Sequence, residues 1–427
     1  MSTLAVALEQ RERRVPAGTA LPLYFVVLSL PLWWVLGAAY FIWPLLTLPL
    51  LLSLVLRGGI RVPPRFGLWL LFLGWSLVSV VELHRQLSLL LFAYRGSLYV
   101  SATILFLYVF NASRDQISDR TIITVLALFW CEVVIGGFLG VLFPRVSFHT
   151  PVESVVPQAF LQDQTAYYFV HPAFSEVMTF LGYPVGRPKV LFAYSNQWGA
   201  ALAVLTPFAI AVFRSMSSGP RRKALAALLV LSVIPVVVSL NRGLWLSLAV
   251  GIVYVLVRFA RQLNFRAVAV TAGGLVAAVV LVLSTPLGGL VQDRFNSKRS
   301  SNETRLSVYQ ETIKQVRQSP LIGYGSPRAS SDDPNLPHVG TQGQLFTVVY
   351  SYGIPAFIFF AGWFLYTFLR SLRRGGPGRF WTNVALLILL VEMPFYNYMP
   401  APLHIAMIAA ALAWRDIVDP EIGPEGT

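Results

Sequence analysis

The chain has 427 residues, of which 56% are hydrophobic and only 12% are charged. With a mean hydropathy of +0.64, this composition is typical of a polytopic membrane protein and excludes a soluble globular domain. The formal net charge of +14 would suit a nucleic-acid partner, but most of it follows from membrane topology and from attraction to anionic lipid headgroups. We therefore expect membrane lipid, and no nucleic acid, among the partners.

Apolar segments of about 15–25 residues, the length that crosses ~30 Å of hydrocarbon, recur along the whole chain. About twelve are predicted, over 20–38, 40–56, 67–82, 95–110, 121–143, 192–213, 223–239, 243–257, 267–285, 343–369, 380–396 and 400–414. The sequence thus predicts an all-α, polytopic membrane helix bundle, with residues 1–427 forming a single integral membrane domain.

Basic residues are unequally divided between alternate connections. If the N-terminus is inside, the short loops of that side, the N-terminal arm and Arg415 hold 20 of the 33 Lys and Arg residues. Short loops rich in Lys and Arg stay on the cytoplasmic side, so we expect both termini to be cytoplasmic.

Two connections on the opposite, outward face are too long for simple turns. The first, 144–191, has balanced charge and many aromatic residues, and we expect it to be interfacial or re-entrant. The second, 286–343, lies between the ninth and tenth spans and carries seven Lys and Arg, five acids and a histidine. A protein that only crosses a membrane does not need such a loop, so we expect a polar substrate to be bound there.

An amphipathic helix is predicted inside this long loop. Ser300-x-x-Glu303 is a capping-box pattern, and Pro320 ends the helical pattern. Apolar side chains then recur at helical spacing, at Leu306, Tyr309, Ile313 and Val316.

Four side chains stand out as candidates for chemistry. Arg242 joins two apolar spans with almost no loop, at headgroup depth, where its guanidinium either snorkels or binds a phosphate. Arg305 lies in the first turn of the loop helix, and His338 precedes the tenth span. Glu392 is an acid within the eleventh span. Each has a plain alternative: a solvated surface residue for Arg305 and His338, and a packing role for Glu392.

Metal ligands are few. The single Cys131 lies within a span, which excludes a disulfide framework and a thiolate metal site. The adjacent acids Asp332 and Asp333 lie in a Ser- and Pro-rich turn and are interpreted as solvated. We expect neither a metal nor a cofactor in the reaction.

Over residues 187–400 the chain resembles the O-antigen ligase/polymerase superfamily. The segments that carry the resemblance are RPKVLFAYSNQWG, SLNRGLWL and the unit RLSVYQETIKQVRQSPLIGYG…PHVGTQGQ. The resemblance implies a GT-C-like, inverting, metal-independent glycosyltransferase in the bacterial inner membrane, with its active site facing outward. Its donor would be a glycan linked to undecaprenyl diphosphate, and its acceptor a hydroxyl of a glycan or lipid-glycan.

The resemblance also implies roles for individual residues. Arg242 and Arg305 would bind the diphosphate, and His338 would accept the proton of the acceptor hydroxyl. Glu392 would orient that histidine or the acceptor. Further substrate contacts are expected from the residues that share the motifs, namely Arg187, Lys189, Asn196, Tyr309 and Gln342.

Three positions depart from the family pattern and put the substrate in doubt. Tyr309 stands where the family commonly has Trp, Val339 where it often has Asn, and Glu392 where Asp is usual. The alternatives are a lipid-glycan flippase or transporter, a metal-dependent polyprenyl-phosphate glycosyltransferase, and a purely structural membrane protein. Ligase and polymerase stay open, because they differ only in the molecule that supplies the hydroxyl.

Overall fold

The computed structural model describes residues 20–83, 86–162, 164–179, 181–296, 301–328, 338–372 and 377–418. The helices of the first half are α1 Leu21–Leu28, α2 Leu30–Val35, α3 Trp43–Arg57, α4 Gly67–Val78, α5 Gln86–Asn111 and α6 Asp119–Leu142. Those of the second half are α10 Ser195–Ser215, α11 Pro220–Leu231, α12 Val233–Val238, α13 Arg242–Arg261, α14 Phe265–Leu283, α17 Gln344–Ser371, α18 Pro377–Glu392 and α19 Ala401–Val418.

The prediction of an all-α membrane bundle is confirmed. Every predicted apolar segment overlaps one or two of these helices, and seven of the described helices are long and apolar enough to cross a membrane. Helix α14 shows why the surroundings must be lipid: its mean hydropathy is 2.2, yet none of its residues is buried within the protein. Such a helix is stable only where another apolar medium covers it. The chain is an integral membrane protein.

Helix α19 forms the centre of the bundle, with side chains buried along nearly its whole length. It packs on α5, and α10 packs on α6 and α18. His404 of α19 is fully buried, where it bonds Ser101 and the Pro400 carbonyl and stacks on Trp43. This histidine therefore belongs to the core of the bundle.

The 144–191 segment folds into short elements. They are α7 Pro151–Val155, α8 Gln158–Leu161, α9 Gln164–Val170, and the antiparallel strands β1 Ser175–Met178 and β2 Val185–Pro188. Ser175 pairs with Pro188 and Met178 with Val185, so the hairpin turn lies between them. The Tyr183 hydroxyl in this turn donates to Asp293 at 2.8 Å and so joins the segment to the long loop.

The long loop begins with two helices, α15 Pro286–Asn296 and α16 Ser301–Val316. Helix α16 covers the stretch predicted to be helical, but it buries Val308 and Thr312 and leaves Leu306 57% exposed. Of the predicted apolar stripe, Leu306 and Ile313 are exposed while Tyr309 is half-buried, because α16 packs through a face that overlaps the stripe only in part. Ser300 of the predicted capping box, together with Asp332 and Asp333, lies outside the described residues.

The Pro-x-x-Gly-x-Gly motif at 320–325 fastens this loop to α17. The Tyr324 and Gly325 amides donate to the carbonyls of Tyr350 and Ser351 at 3.0 and 2.7 Å. Gly323 has φ +65°, and a Cβ there would collide with the main chain at residues 350 and 351. Only glycine permits both that conformation and that approach. The motif therefore sets where α16 and the residues after it lie.

Candidate active site

The turn that precedes Arg242 is built tightly. Leu240 has φ +50°, an uncommon conformation for a leucine, and Asn241 caps α13 by accepting from the Leu244 amide at 3.4 Å. The Tyr396 hydroxyl donates to the same Asn241 oxygen, and a Cβ at Gly243 would collide with that hydroxyl. Arg242 is thus the first residue of α13, where the helix dipole adds positive charge to that of the guanidinium.

Two further arginines bind the main chain of this turn. Arg187 is buried and donates from Nε to the Ser239 carbonyl at 2.7 Å. Arg294 of α15 is also buried and donates to the Leu240 carbonyl at 3.2 Å. Two guanidinium groups, one from β2 and one from the long loop, therefore bind the main chain directly before Arg242.

Lys189 and Asn196 lie beside Arg187. Asn196 accepts from the Arg187 guanidinium at 3.2 Å, and Lys189 is buried, with Nζ donating to the Ala193 carbonyl at 3.1 Å. Burial lowers the pKa of Lys189, while the nearby Glu176 acts in the opposite direction. The RPK…SN motif thus places a second basic side chain, Lys189, beside Arg187.

Glu392 ends α18 with a carboxylate that is completely buried. Ser247 of α13 donates to one of its oxygens at 2.8 Å, and the Tyr398 hydroxyl donates to the other at 2.7 Å. Because Ser247 follows Arg242 by about one and a half helical turns, Glu392 fixes the helix that presents Arg242. The geometry supports a positioning role through Ser247 and Tyr398.

Tyr309 and the start of α17 meet the turn that follows Glu392. The Tyr309 hydroxyl donates to the Pro394 carbonyl at 3.3 Å, and its ring stacks on Phe346 with centroids 4.3 Å apart. Gly343, next to Gln342, has φ +104° and packs so closely on Pro394 that a Cβ would collide with it. Tyr309 and Gln342 therefore lie next to the Glu392 end of the site.

His338 lies on the exposed surface of the long loop. Its neighbour Val339 pairs with Arg328, and the Gly340 amide donates to the buried Thr312 hydroxyl of α16 at 3.2 Å. The main chain around His338 is thereby held against α16, while the imidazole faces outward. The Arg305 side chain lies outside the described part of the chain.

Several residues of this site were not predicted from the sequence. Asn241, Ser247, Tyr396 and Tyr398 all take part in the bonds around Arg242 and Glu392, as does Arg294 around Leu240. Asn241 stands next to Arg242 in the SLNRGLWL motif, so it had a detectable signal. The two tyrosines come from a segment far along the chain, and only the fold brings them to α13.

Comparison with known proteins gives one match to a family model. Residues 227–361 match the family model described as O-antigen ligase. This stretch of the chain is similar to the O-antigen ligase family. The resemblance to the O-antigen ligase/polymerase superfamily is thus confirmed, and the matched stretch includes Arg242, Arg305 and His338. A search of curated proteins found no match.

Proposed function

We propose that the chain is an inverting, metal-independent glycosyltransferase. It takes a glycan from an undecaprenyl-diphosphate donor and transfers it to an acceptor hydroxyl on the outward face of the bacterial inner membrane. The observation that carries this proposal is the position of Arg242, at the start of α13 inside the matched O-antigen ligase domain. Its guanidinium and the helix dipole favour an anion at the same point.

The diphosphate is the charged part of such a donor, and it lies at headgroup depth. Arg242 and Arg305 bind it and stabilise the negative charge that grows on it during the reaction. The same anion is also bound by the neighbouring polar side chains of Arg187, Lys189 and Asn196. Two guanidinium groups supply the positive charge that a divalent cation supplies in metal-dependent enzymes.

The acceptor attacks from the opposite side of the anomeric carbon. His338 takes the hydroxyl proton, the acceptor oxygen forms a bond to the anomeric carbon, and the bond from that carbon to the phosphate oxygen breaks. Undecaprenyl diphosphate leaves with the bonding electrons. A single displacement of this kind inverts the anomeric centre. The exposure of His338 fits a base that must reach a second, bulky substrate.

The decisive experiment is an assay of the purified protein with a lipid-diphosphate glycan and a glycan acceptor. We expect a new glycosidic bond of inverted configuration, free undecaprenyl diphosphate, and turnover that persists in EDTA. Turnover that stops in EDTA and returns with Mg²⁺ or Mn²⁺ would overturn the metal-independent mechanism. Movement of intact donor across a proteoliposome membrane without bond cleavage would instead identify a flippase.

The nature of the acceptor separates the two members of the class. A ligase uses a hydroxyl of a lipid-glycan, and a polymerase uses a hydroxyl of another donor-linked glycan. An assay in which each acceptor is offered alone distinguishes them.

A further inference from the structure

Two histidines of the 144–191 segment share one carboxylate, and none of these three residues is assigned to glycosyl transfer. His149 Nδ1 lies 3.0 Å from Glu153 Oε1, and His171 Nδ1 lies 2.9 Å from Glu153 Oε2. The two imidazole centroids are 5.0 Å apart, and the three ligand atoms all lie within 4.8 Å of one another. Two imidazoles and a carboxylate, three groups that bind metal ions, therefore lie close together.

The separations suit a small divalent cation. Zn²⁺ binds imidazole nitrogen at ~2.0–2.1 Å and carboxylate oxygen at ~2.0–2.2 Å, so neighbouring ligand atoms in a tetrahedral site lie about 3.3 Å apart. The two Nδ1 atoms lie 2.9 and 3.0 Å from different oxygens of Glu153, and the three ligand atoms lie within 4.8 Å of one another. A shift of these side chains would bring them to that spacing around one ion.

The three side chains supply two imidazole nitrogens and a carboxylate oxygen. An ionised carboxylate with two imidazoles is a donor set that Zn²⁺ prefers.

The surrounding structure holds Glu153 and His171 in place before any ion binds. Thr150 and Glu153 form a capping box at the start of α7, and the Thr150 hydroxyl donates to the Val170 carbonyl at 2.8 Å. Val170 directly precedes His171, whose ring stacks on Tyr167 with centroids 4.6 Å apart. The side chains of Glu153 and His171 are 9% and 11% exposed, whereas that of His149 is 86% exposed. Two ligands are therefore rigid, and the third gives an ion a route of entry.

We propose that His149, Glu153 and His171 form a Zn²⁺ site, with water as the fourth ligand. The ion stabilises the 144–191 segment by joining the start of α7 to the end of α9. It also stabilises the first connection of the bundle, because the Val152 amide donates to the Leu36 carbonyl and Gly37 packs directly on Thr150. The site is structural, and its three ligands are not among the residues assigned to the diphosphate.

Zn²⁺ titration of the purified, chelator-treated protein in detergent tests this proposal. We expect one Zn²⁺ per chain by calorimetry and elemental analysis, and an increase of the melting temperature with Zn²⁺. Co²⁺ in the same site should show the visible absorption of a four-coordinate ion. His149→Ala changes an exposed side chain and should leave the fold intact, while Glu153→Gln keeps a residue that can complete the capping box. Each variant should weaken binding by more than the roughly 10–100-fold expected for a lost outer partner of a metal ligand.

His338→Ala is the matched control for binding, because it removes another exposed imidazole and should leave Zn²⁺ stoichiometry and affinity unchanged. Absence of stoichiometric binding to the wild-type protein would overturn the proposal. So would wild-type affinity in both His149→Ala and Glu153→Gln. A chelator that lowers the melting temperature of the wild type and of His149→Ala equally would also contradict it, since the variant lacks a ligand.

Discussion

The proposed active site has two parts that differ in how firmly they are held. The part on the bundle comprises Arg187, Arg242 and Glu392, whose side chains or supporting turns are buried and hydrogen-bonded from several elements. The part on the long loop includes Tyr309, which is half-buried, and His338, which is exposed. The side chains of the first part are held in fixed positions, whereas those of the second part are accessible to an acceptor.

This difference matches the demands of the proposed reaction. A leaving diphosphate is best stabilised by charges that are oriented beforehand, because no reorganisation is then needed as charge develops. The acceptor must enter and the product must leave, so the base belongs on an accessible surface. Changes in the fixed part should therefore affect both stability and activity, and changes on the loop should affect activity alone.

The largest effect is expected from the loop. His338→Ala should lower the turnover number by roughly 10²–10⁴-fold, the usual contribution of a general base, while donor affinity is retained. Turnover and donor binding are measured on the same detergent preparation. Gln310→Ala, an exposed change on α16, is the control and should be silent. Full activity in His338→Ala would assign the base to another residue.

Arg242 tests the fixed part. Arg242→Ala should reduce transfer by roughly 10²–10³-fold, as the loss of one preorganised donor does elsewhere. Arg242→Lys should recover little of it, because an ammonium group cannot form the bidentate fork of a guanidinium. Arg305→Ala should behave in the same way.

The control for Arg242 is Arg261→Ala, an exposed change in the last turn of the same helix, which should keep normal transfer. Near-normal activity of Arg242→Lys would show that charge alone is needed at the start of α13. Equal losses in the two alanine variants would point to a general effect on α13.

Substitution of Glu392 should show how far the hydrogen bonds of the fixed part contribute to stability. Glu392→Ala removes the 2.7 Å acceptor of the buried Tyr398 hydroxyl, at about 1–3 kcal/mol for an unsatisfied group, whereas Ser247 can still donate to the Gly243 carbonyl at 2.9 Å. The melting temperature in detergent should fall clearly, and transfer should fall with it. Glu392→Gln keeps the shape and one acceptor oxygen, so its melting temperature should lie between those of the wild type and Glu392→Ala. A stable but inactive Glu392→Ala protein would show that the carboxylate acts directly in the reaction.

The sequence predicted the helices well, because span length and apolar character are local properties. It also placed Arg242 correctly at the start of a span, since the charge interrupts two apolar runs. The sequence could not predict contacts between separate segments, such as those of Ser247 with Glu392 and of His171 with Glu153. Each of these pairs depends on which helices pack together. The helical periodicity of α16 was visible, but the buried face was not, because Val308 and Thr312 contact the bundle instead of Leu306 and Ile313.

The smallest expected effect concerns Tyr309, which joins the two parts of the site. Tyr309→Phe removes the hydrogen bond to the Pro394 carbonyl but keeps the stacking on Phe346. A lost hydrogen bond of this kind is worth about 0.5–1.5 kcal/mol, so transfer should fall only a few-fold. Tyr309→Trp, which installs the residue common in the family, should retain activity, while Tyr309→Ala loses both contacts and its activity should fall further.

Kinetics at varied acceptor concentration separate the two roles open to Tyr309. If the ring only positions α16 against the bundle, the KM for the acceptor should equal the wild-type value in both the Phe and the Trp variants. If the hydroxyl binds the acceptor, the KM for the acceptor should rise above the wild-type value in both.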